Sequence, residues 1–156
     1  MKTVDIYTDG ACSGNPGKGG FGCVLLYNGN RREISEGYRL TTNNRMETMS
    51  VIRALEALKE PCFVNLYSDS KYVVDAINKE WVKKWEKNNW YRTKNEKASN
   101  IDLWMKLLRL LEIHSVKFIW VKGHANNPEN ERCDLLARAA ASKEELLIDF
   151  EYENNK

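Results

Sequence analysis

Four acidic residues, Asp9, Glu47, Asp69 and Asp134, are far apart in the chain, yet each stands where chemistry is possible. Asp9 and Asp69 close short apolar runs of strand character, residues 4–8 and 63–67, and open α/β sheets gather their ligand-binding groups at such ends. Glu47 and Asp134 fall on stretches with helical periodicity that can pack beside the same edge. Taken singly, each has an ordinary reading. Asp9-Gly10 is turn chemistry, Glu47 stands three residues after Asn44 as in a capping box, Asp69 can cap a helix, and Asp134 can pair with Arg138. Taken together they would repel one another strongly unless cations neutralised them. Oxygen-only ligation selects hard ions such as Mg²⁺ or Mn²⁺ over zinc. Two such ions about 3.5–4 Å apart are a known device for in-line displacement at phosphorus.

The elements that must position these acids follow from the pattern. Residues 4–8, 21–27, 33–40, 63–67 and 116–121 read as strands, with Asn28-Gly29 as a hairpin turn between the second and third. The glycine-rich stretch 13–20 is expected to be a turn or loop. Met46, Met49, Ile52, Leu55 and Leu58 recur every three residues and predict a helix that stops before Pro61. Ser68-Asp69-Ser70 supplies capping types for a helix over 71–78, and Ile101, Trp104, Leu108 and Leu111 mark another. Asn127-Pro128 provides an N-cap and N1 proline for a helix through Ala141. Residues 143–156, with five acids against two lysines, look like a loosely held tail. The sum is an α/β domain with a mixed five-stranded sheet flanked by helices.

A chain of 156 residues suits one domain and can bury enough surface to fold without a disulfide or metal staple. Cys12, Cys23, Cys62 and Cys133 form no CxxC pair, which argues against zinc and for a reduced, cytoplasmic setting. Acids interrupt the N-terminus where a signal peptide needs an apolar core, and no apolar run approaches the ~20 residues of a membrane helix. Net charge is only +2, so it says nothing about nucleic acid. Its distribution does. Residues 79–97 hold seven basic side chains against three acids and three of the five tryptophans, Trp81, Trp85 and Trp90.

Five segments occur in a recognisable order: Tyr-Thr-Asp-Gly-Ala-Cys-Ser-Gly-Asn-Pro-Gly (7–17), Thr-Thr-Asn-Asn-Arg-Met-Glu (41–47), Ser-Asp-Ser (68–70), Trp-Val-Lys-Gly-His-Ala (120–125) and Pro-Glu-Asn-Glu-Arg-Cys-Asp (128–134). On these the sequence resembles a bacterial-type ribonuclease H of type 1, over residues 3–141. The resemblance implies the ribonuclease H-like fold, in a catalytic domain spanning 1–142. It implies hydrolysis of the RNA strand of an RNA/DNA hybrid by metal-activated water, leaving 5′-phosphate and 3′-hydroxyl ends. It assigns Asp9, Glu47, Asp69 and Asp134 to metal, with Mg²⁺ as cofactor, Mn²⁺ as a substitute and two ions when substrate is bound. His124 would ferry a proton. Cys12, Ser13, Asn15, Asn43 and Asn44 match positions that contact the hybrid, where only 2′-hydroxyls in a shallow groove mark the RNA strand.

Segment 79–97 corresponds to a basic protrusion that grips the DNA strand, with Trp81, Lys83, Lys84, Trp85, Lys87 and Trp90 as its binding residues. For Trp81 and Trp85 a core role is an equal alternative. Lys71 stands where many relatives have glutamine, which turns a base-edge or sugar contact toward phosphate. Asn126-Asn127 replaces a common Gly-His pair. A catalytically silent hybrid-binding module would lack at least one of the acids, and none is missing. A monomer acting on an RNA/DNA hybrid, without membrane contact, is the expected state.

Overall fold

The computed structural model describes residues 1–123 and 126–155. Strands β1 (Lys2–Ser13), β2 (Gly17–Tyr27) and β3 (Asn30–Thr41) form an antiparallel meander, and α1 (Asn43–Glu56) carries the chain across to β4 (Cys62–Ser68). Helices α2 (Lys71–Asn78), α3 (Trp81–Lys87) and α4 (Ile101–Ile113) precede β5 (Ser115–Trp120), and α5 (Pro128–Ala141) and α6 (Phe150–Asn154) close the chain. The sheet order is β3-β2-β1-β4-β5, with β4 parallel to both β1 and β5. This is the mixed five-stranded sheet the sequence predicts.

Helix α1 is buried along most of its length because it lies between the sheet and α4, where Ile6, Leu66, Met46, Ile52, Leu55, Trp104 and Leu107 share one core. Asn28 and Gly29 take the positive φ values, 50° and 82°, that a two-residue hairpin requires. Asn127 caps α5 by accepting the Asn130 N–H at 3.2 Å, with Pro128 in the first turn.

Two expectations are corrected. The stretch 13–20 is not all loop: β1 continues through Asp9-Gly10 to Ser13, and β2 starts at Gly17 and pairs with it. Gly14 serves the turn, at a φ of 85°, whereas Gly20 and Gly22 are there for close packing. A Cβ at Gly22 would meet the Cys133 carbonyl at 2.5 Å, and one at Gly20 would meet the Ala141 amide at 2.9 Å, so α5 lies directly on the strand backbone. Composition alone does not separate a turn glycine from a packing glycine.

The tail, secondly, is docked. Leu147 N–H donates to the Gly37 carbonyl at 2.9 Å, and Arg39 forks onto Glu153 at 2.8 and 2.9 Å. Asp149 is buried and accepts from Thr41 Oγ1 at 2.8 Å and from Arg45 Nε at 2.7 Å. Arg45 also forks onto Asp102 at 2.7 and 2.9 Å, so one buried guanidinium ties α1, α4 and the tail together. Two of the acids that suggested a solvated tail, Asp149 and Glu153, have their cations in distant parts of the chain. Burial works to raise the Asp102 carboxyl, but Arg45 outweighs it and holds the group below its ordinary range. A depressed carboxyl stabilises the fold above its unfolded pKa, and that contribution is lost as pH falls through the lower folded value.

Breaking this cluster has a measurable consequence. Asp149→Ala leaves Arg45 buried with one carboxylate fewer, and removal of one partner from a buried pair costs about 3–5 kcal/mol. For a chain of this length the melting temperature should fall by roughly 6–20 °C, at 2–4 °C per kcal/mol. Thermal denaturation at pH 7 checks this; an unchanged melting temperature would mean that Asp102 alone satisfies Arg45.

Candidate active site

The central strand and its crossing helix bring the first two acids together. Met46 and Glu47 of α1 sit directly over Gly10 of β1: a Cβ there would meet the Glu47 nitrogen and the Met46 carbonyl carbon at 2.5 Å. The missing side chain lets α1 approach, and Gly10 N–H donates to both Asp9 Oδ1 (2.9 Å) and Glu47 Oε1. Asp69 enters from the turn after β4, the parallel neighbour of β1. Gly123 lies against it, since a Cβ there would stand 2.8 Å from Asp69 Oδ2. One carboxylate oxygen from each of Asp9, Glu47 and Asp69 lies within 4.8 Å of the others. Asp134 of α5 lines the same cleft, of about 520 Å³, but stands outside that triad and holds Arg138 Nε at 3.0 Å.

Three of the four ordinary readings of these acids therefore fail. Asp9-Gly10 is inside a strand rather than a turn. The N-cap of α1 is Thr42, which leaves Glu47 beyond the capping position, and the N-cap of α2 is Ser70 rather than Asp69. Only Asp134 has its surface ion pair.

Electrostatics say what the triad lacks. Burial pushes both Asp9 and Glu47 above the ordinary carboxylate range, and repulsion from Glu47 and Asp69 drives Asp9 further. Hydrogen bonds from Gly10 N–H and the Ser70 hydroxyl pull Glu47 partly back. Among the described residues neither Asp9 nor Glu47 has an ion pair, and two buried acids so placed fit a hard, oxygen-seeking divalent ion.

The other expected residues fall into three groups. Cys12, Asn43, Asn44 and Lys71 line the cleft with the acids. Asn15 reaches across from the β1–β2 turn, its Oδ1 accepting the Asn43 N–H at 3.2 Å, while Ser13 is exposed at the end of β1. Cys12 is half-buried, its Sγ 3.5 Å from the Gly17 and Thr41 carbonyls. The basic segment is separate. Trp81 is exposed on α3, and Trp81, Trp85, Tyr72, Ala76 and Arg92 border a cavity of about 370 Å³. Trp85 packs edge-on to the buried Trp104 at 6.3 Å, so of the two tryptophans given a core alternative it is Trp85 and not Trp81 that takes it; Trp90, for which none was expected, is also partly buried against the core. Lys83, Lys84 and Lys87 are exposed on α3. His124 lies outside the described residues. Ser70 and Tyr72 are cleft residues the sequence reading did not assign. Ser70 was legible as a cap, whereas Tyr72 carried no signal.

A sheet of this order, with buried carboxylates on the central strand and on the helix that crosses it and a half-buried one after its parallel neighbour, is the ribonuclease H-like fold with the site of a metal-dependent nuclease. The family model for RNase H matches residues 1–142, and the chain belongs to that family. It is 62% identical over 149 residues to a ribonuclease H of Desulforamulus reducens, covering 96% of this chain and 94% of that relative. Among solved structures it is similar to LC9-RNase H1, a type 1 RNase H (TM-score 0.83, 30% identity, 100% of this chain and 82% of that one). It is also similar to LC11-RNase H1, solved in complex with an RNA/DNA hybrid (TM-score 0.68, 26% identity, 88% and 96%). Members of the family use divalent metal ions. Among the described residues no helix is long and apolar enough to cross a membrane.

Proposed function

We propose that this chain is an endoribonuclease that hydrolyses the RNA strand of RNA/DNA hybrids, leaving 5′-phosphate and 3′-hydroxyl ends, and that it works as a cytoplasmic monomer. The observation that carries the reading is the convergence of Asp9, Glu47 and Asp69 in one open cleft, with Asp134 on its wall and Asn43, Asn44 and Cys12 on its rim. Divalent cations held there, Mg²⁺ or its substitute Mn²⁺ and two of them with substrate bound, would supply the positive charge that in-line displacement at phosphorus needs. Asp9, Glu47 and Asp69 would hold them, and Asp134 would complete the set on giving up Arg138. Asn43, Asn44, Asn15 and Ser13 read the RNA strand by hydrogen bonds to 2′-hydroxyls, the groups that tell RNA from DNA. Lys71, at the first turn of α2, meets a backbone phosphate. His124 moves a proton at its imidazole during turnover.

The direct test is a gel assay with one strand labelled, comparing RNA/DNA, RNA/RNA and DNA/DNA duplexes in Mg²⁺ and in EDTA. Cleavage confined to the RNA strand of the hybrid, and abolished by EDTA, is expected. Cutting of either homoduplex at a similar rate would overturn the assignment of substrate.

The second part of the reading concerns Lys83, Lys84 and Lys87, which share one exposed face of α3. Such a face grips phosphates without reading sequence. Changing all three to alanine should raise KM, leave kcat near the parent value and flatten the salt dependence of binding by about 2–3 units of log K per log salt. Parallel salt slopes for parent and variant would place the grip on DNA elsewhere.

A further inference from the structure

Trp120 is the last residue of β5, and it is 44% exposed, too open for a core role. Its strand partner is Ser68, and the next residue, Val121, donates to the Ser68 carbonyl at 3.0 Å, so the end of β5 is locked to the end of β4. From there the indole reaches in two directions. Its Nε1–H donates to the main-chain carbonyl of Asp69 at 3.3 Å. Its ring lies under the Lys71 ammonium, 5.0 Å from Nζ to the ring centroid. Asp69 and Lys71 both line the carboxylate cleft.

We propose that Trp120 is a positioning residue for this cleft, fixing the Asp69 main chain through its indole N–H and holding the Lys71 ammonium at the cleft wall through its ring. The proposal rests on the functional reading above and deepens it: one side chain sets both a carboxylate for the cation and a cation for a substrate phosphate. The physical basis is that Asp69 lies in a turn just beyond the strand, where no ladder bond holds it, and Lys71 is a long side chain with many rotamers. An aromatic face removes some of that freedom before substrate arrives, as preorganisation requires.

The two contacts separate experimentally. Trp120→Phe keeps a ring for Lys71 and removes the N–H, while Trp120→Leu removes both. With a labelled RNA/DNA hybrid in EDTA, Trp120→Leu and Lys71→Met should each weaken binding by roughly 2- to 5-fold, the scale of an exposed cation–π contact. The double variant should be no weaker than the weaker-binding single, because the two residues form one contact. Trp120→Phe should bind hybrid nearly as the parent does. By calorimetry, Trp120→Phe and Trp120→Leu should both weaken Mg²⁺ binding by about 2- to 10-fold, the range for one lost hydrogen bond, and Lys71→Met should not weaken it. Melting temperatures close to the parent's are expected for all, since the indole is half open. Multiplicative losses in the double variant would overturn the Lys71 half, and unchanged Mg²⁺ affinity in Trp120→Phe would overturn the Asp69 half. A parent that binds no hybrid would defeat the functional reading and with it the Lys71 half, while the Mg²⁺ titration still decides the Asp69 half.

Discussion

Asp9→Asn should lower cleavage of an RNA/DNA hybrid by roughly 10²–10³-fold or more at saturating Mg²⁺, the scale for removing one preorganised electrostatic group from a reaction centre. The amide keeps the shape of the side chain and can still accept from Gly10 N–H, but it is a poor ligand for a hard cation. The fold should survive, and without metal the variant should be more stable than the parent. Burial and the neighbouring Glu47 raise the Asp9 carboxyl above its unfolded value. A raised carboxyl binds more protons folded than unfolded, so the parent loses stability as pH climbs above about 4, and asparagine removes that slope. The gain in melting temperature should therefore be larger at pH 8 than at pH 5. At about 2 kcal/mol it would amount to about 4–8 °C. Near-normal cleavage would rule out the proposed metal site; a lower melting temperature in EDTA at pH 8 would show that the acids are not in repulsion.

His124→Ala should reduce kcat by about 10²–10⁴-fold, the usual loss for a positioned proton-transfer group, with KM and melting temperature little changed. The reasoning is chemical. An imidazole titrates near neutrality and both accepts and releases a proton at working pH, which none of the carboxylates in the cleft can do once they hold cations. The pH profile is the diagnostic readout: the variant should lose the limb that belongs to the imidazole. Parent rates across pH 6–9 would falsify the proton-transfer role.

Much of the fold was legible because local chemistry and long-range order agreed. The Asn28-Gly29 turn, the Asn127-Pro128 cap and the three-residue apolar period of the helix over Asn43–Glu56 are each written in adjacent residues, and each is found where expected. Gly20 and Gly22 were not legible as packing glycines, because the atoms they make room for belong to a helix more than a hundred residues away. The tail misled for the same reason. Its acids look solvated in sequence, but Asp149 meets Arg45, 104 residues earlier, and Glu153 meets Arg39, 114 residues earlier.

For the site, the sequence by itself determined the residue types and their order: four carboxylates, whose oxygens suit a hard cation, and a histidine directly after Gly123. Only the tertiary structure decided which acids form a unit. Asp9, Glu47 and Asp69 close to within 4.8 Å because α1 rests on Gly10 and β4 runs parallel to β1, whereas Asp134 stays with Arg138. It also decided that Trp85 and Trp90 pack on the core and that Trp120 does not. Residue types limit which atoms can bind a cation, but whether they do so together depends on separations of a few ångströms. Those are set by helix-on-strand packing and by parallel strand pairing, between residues 38 and 60 positions apart, beyond the reach of any local pattern.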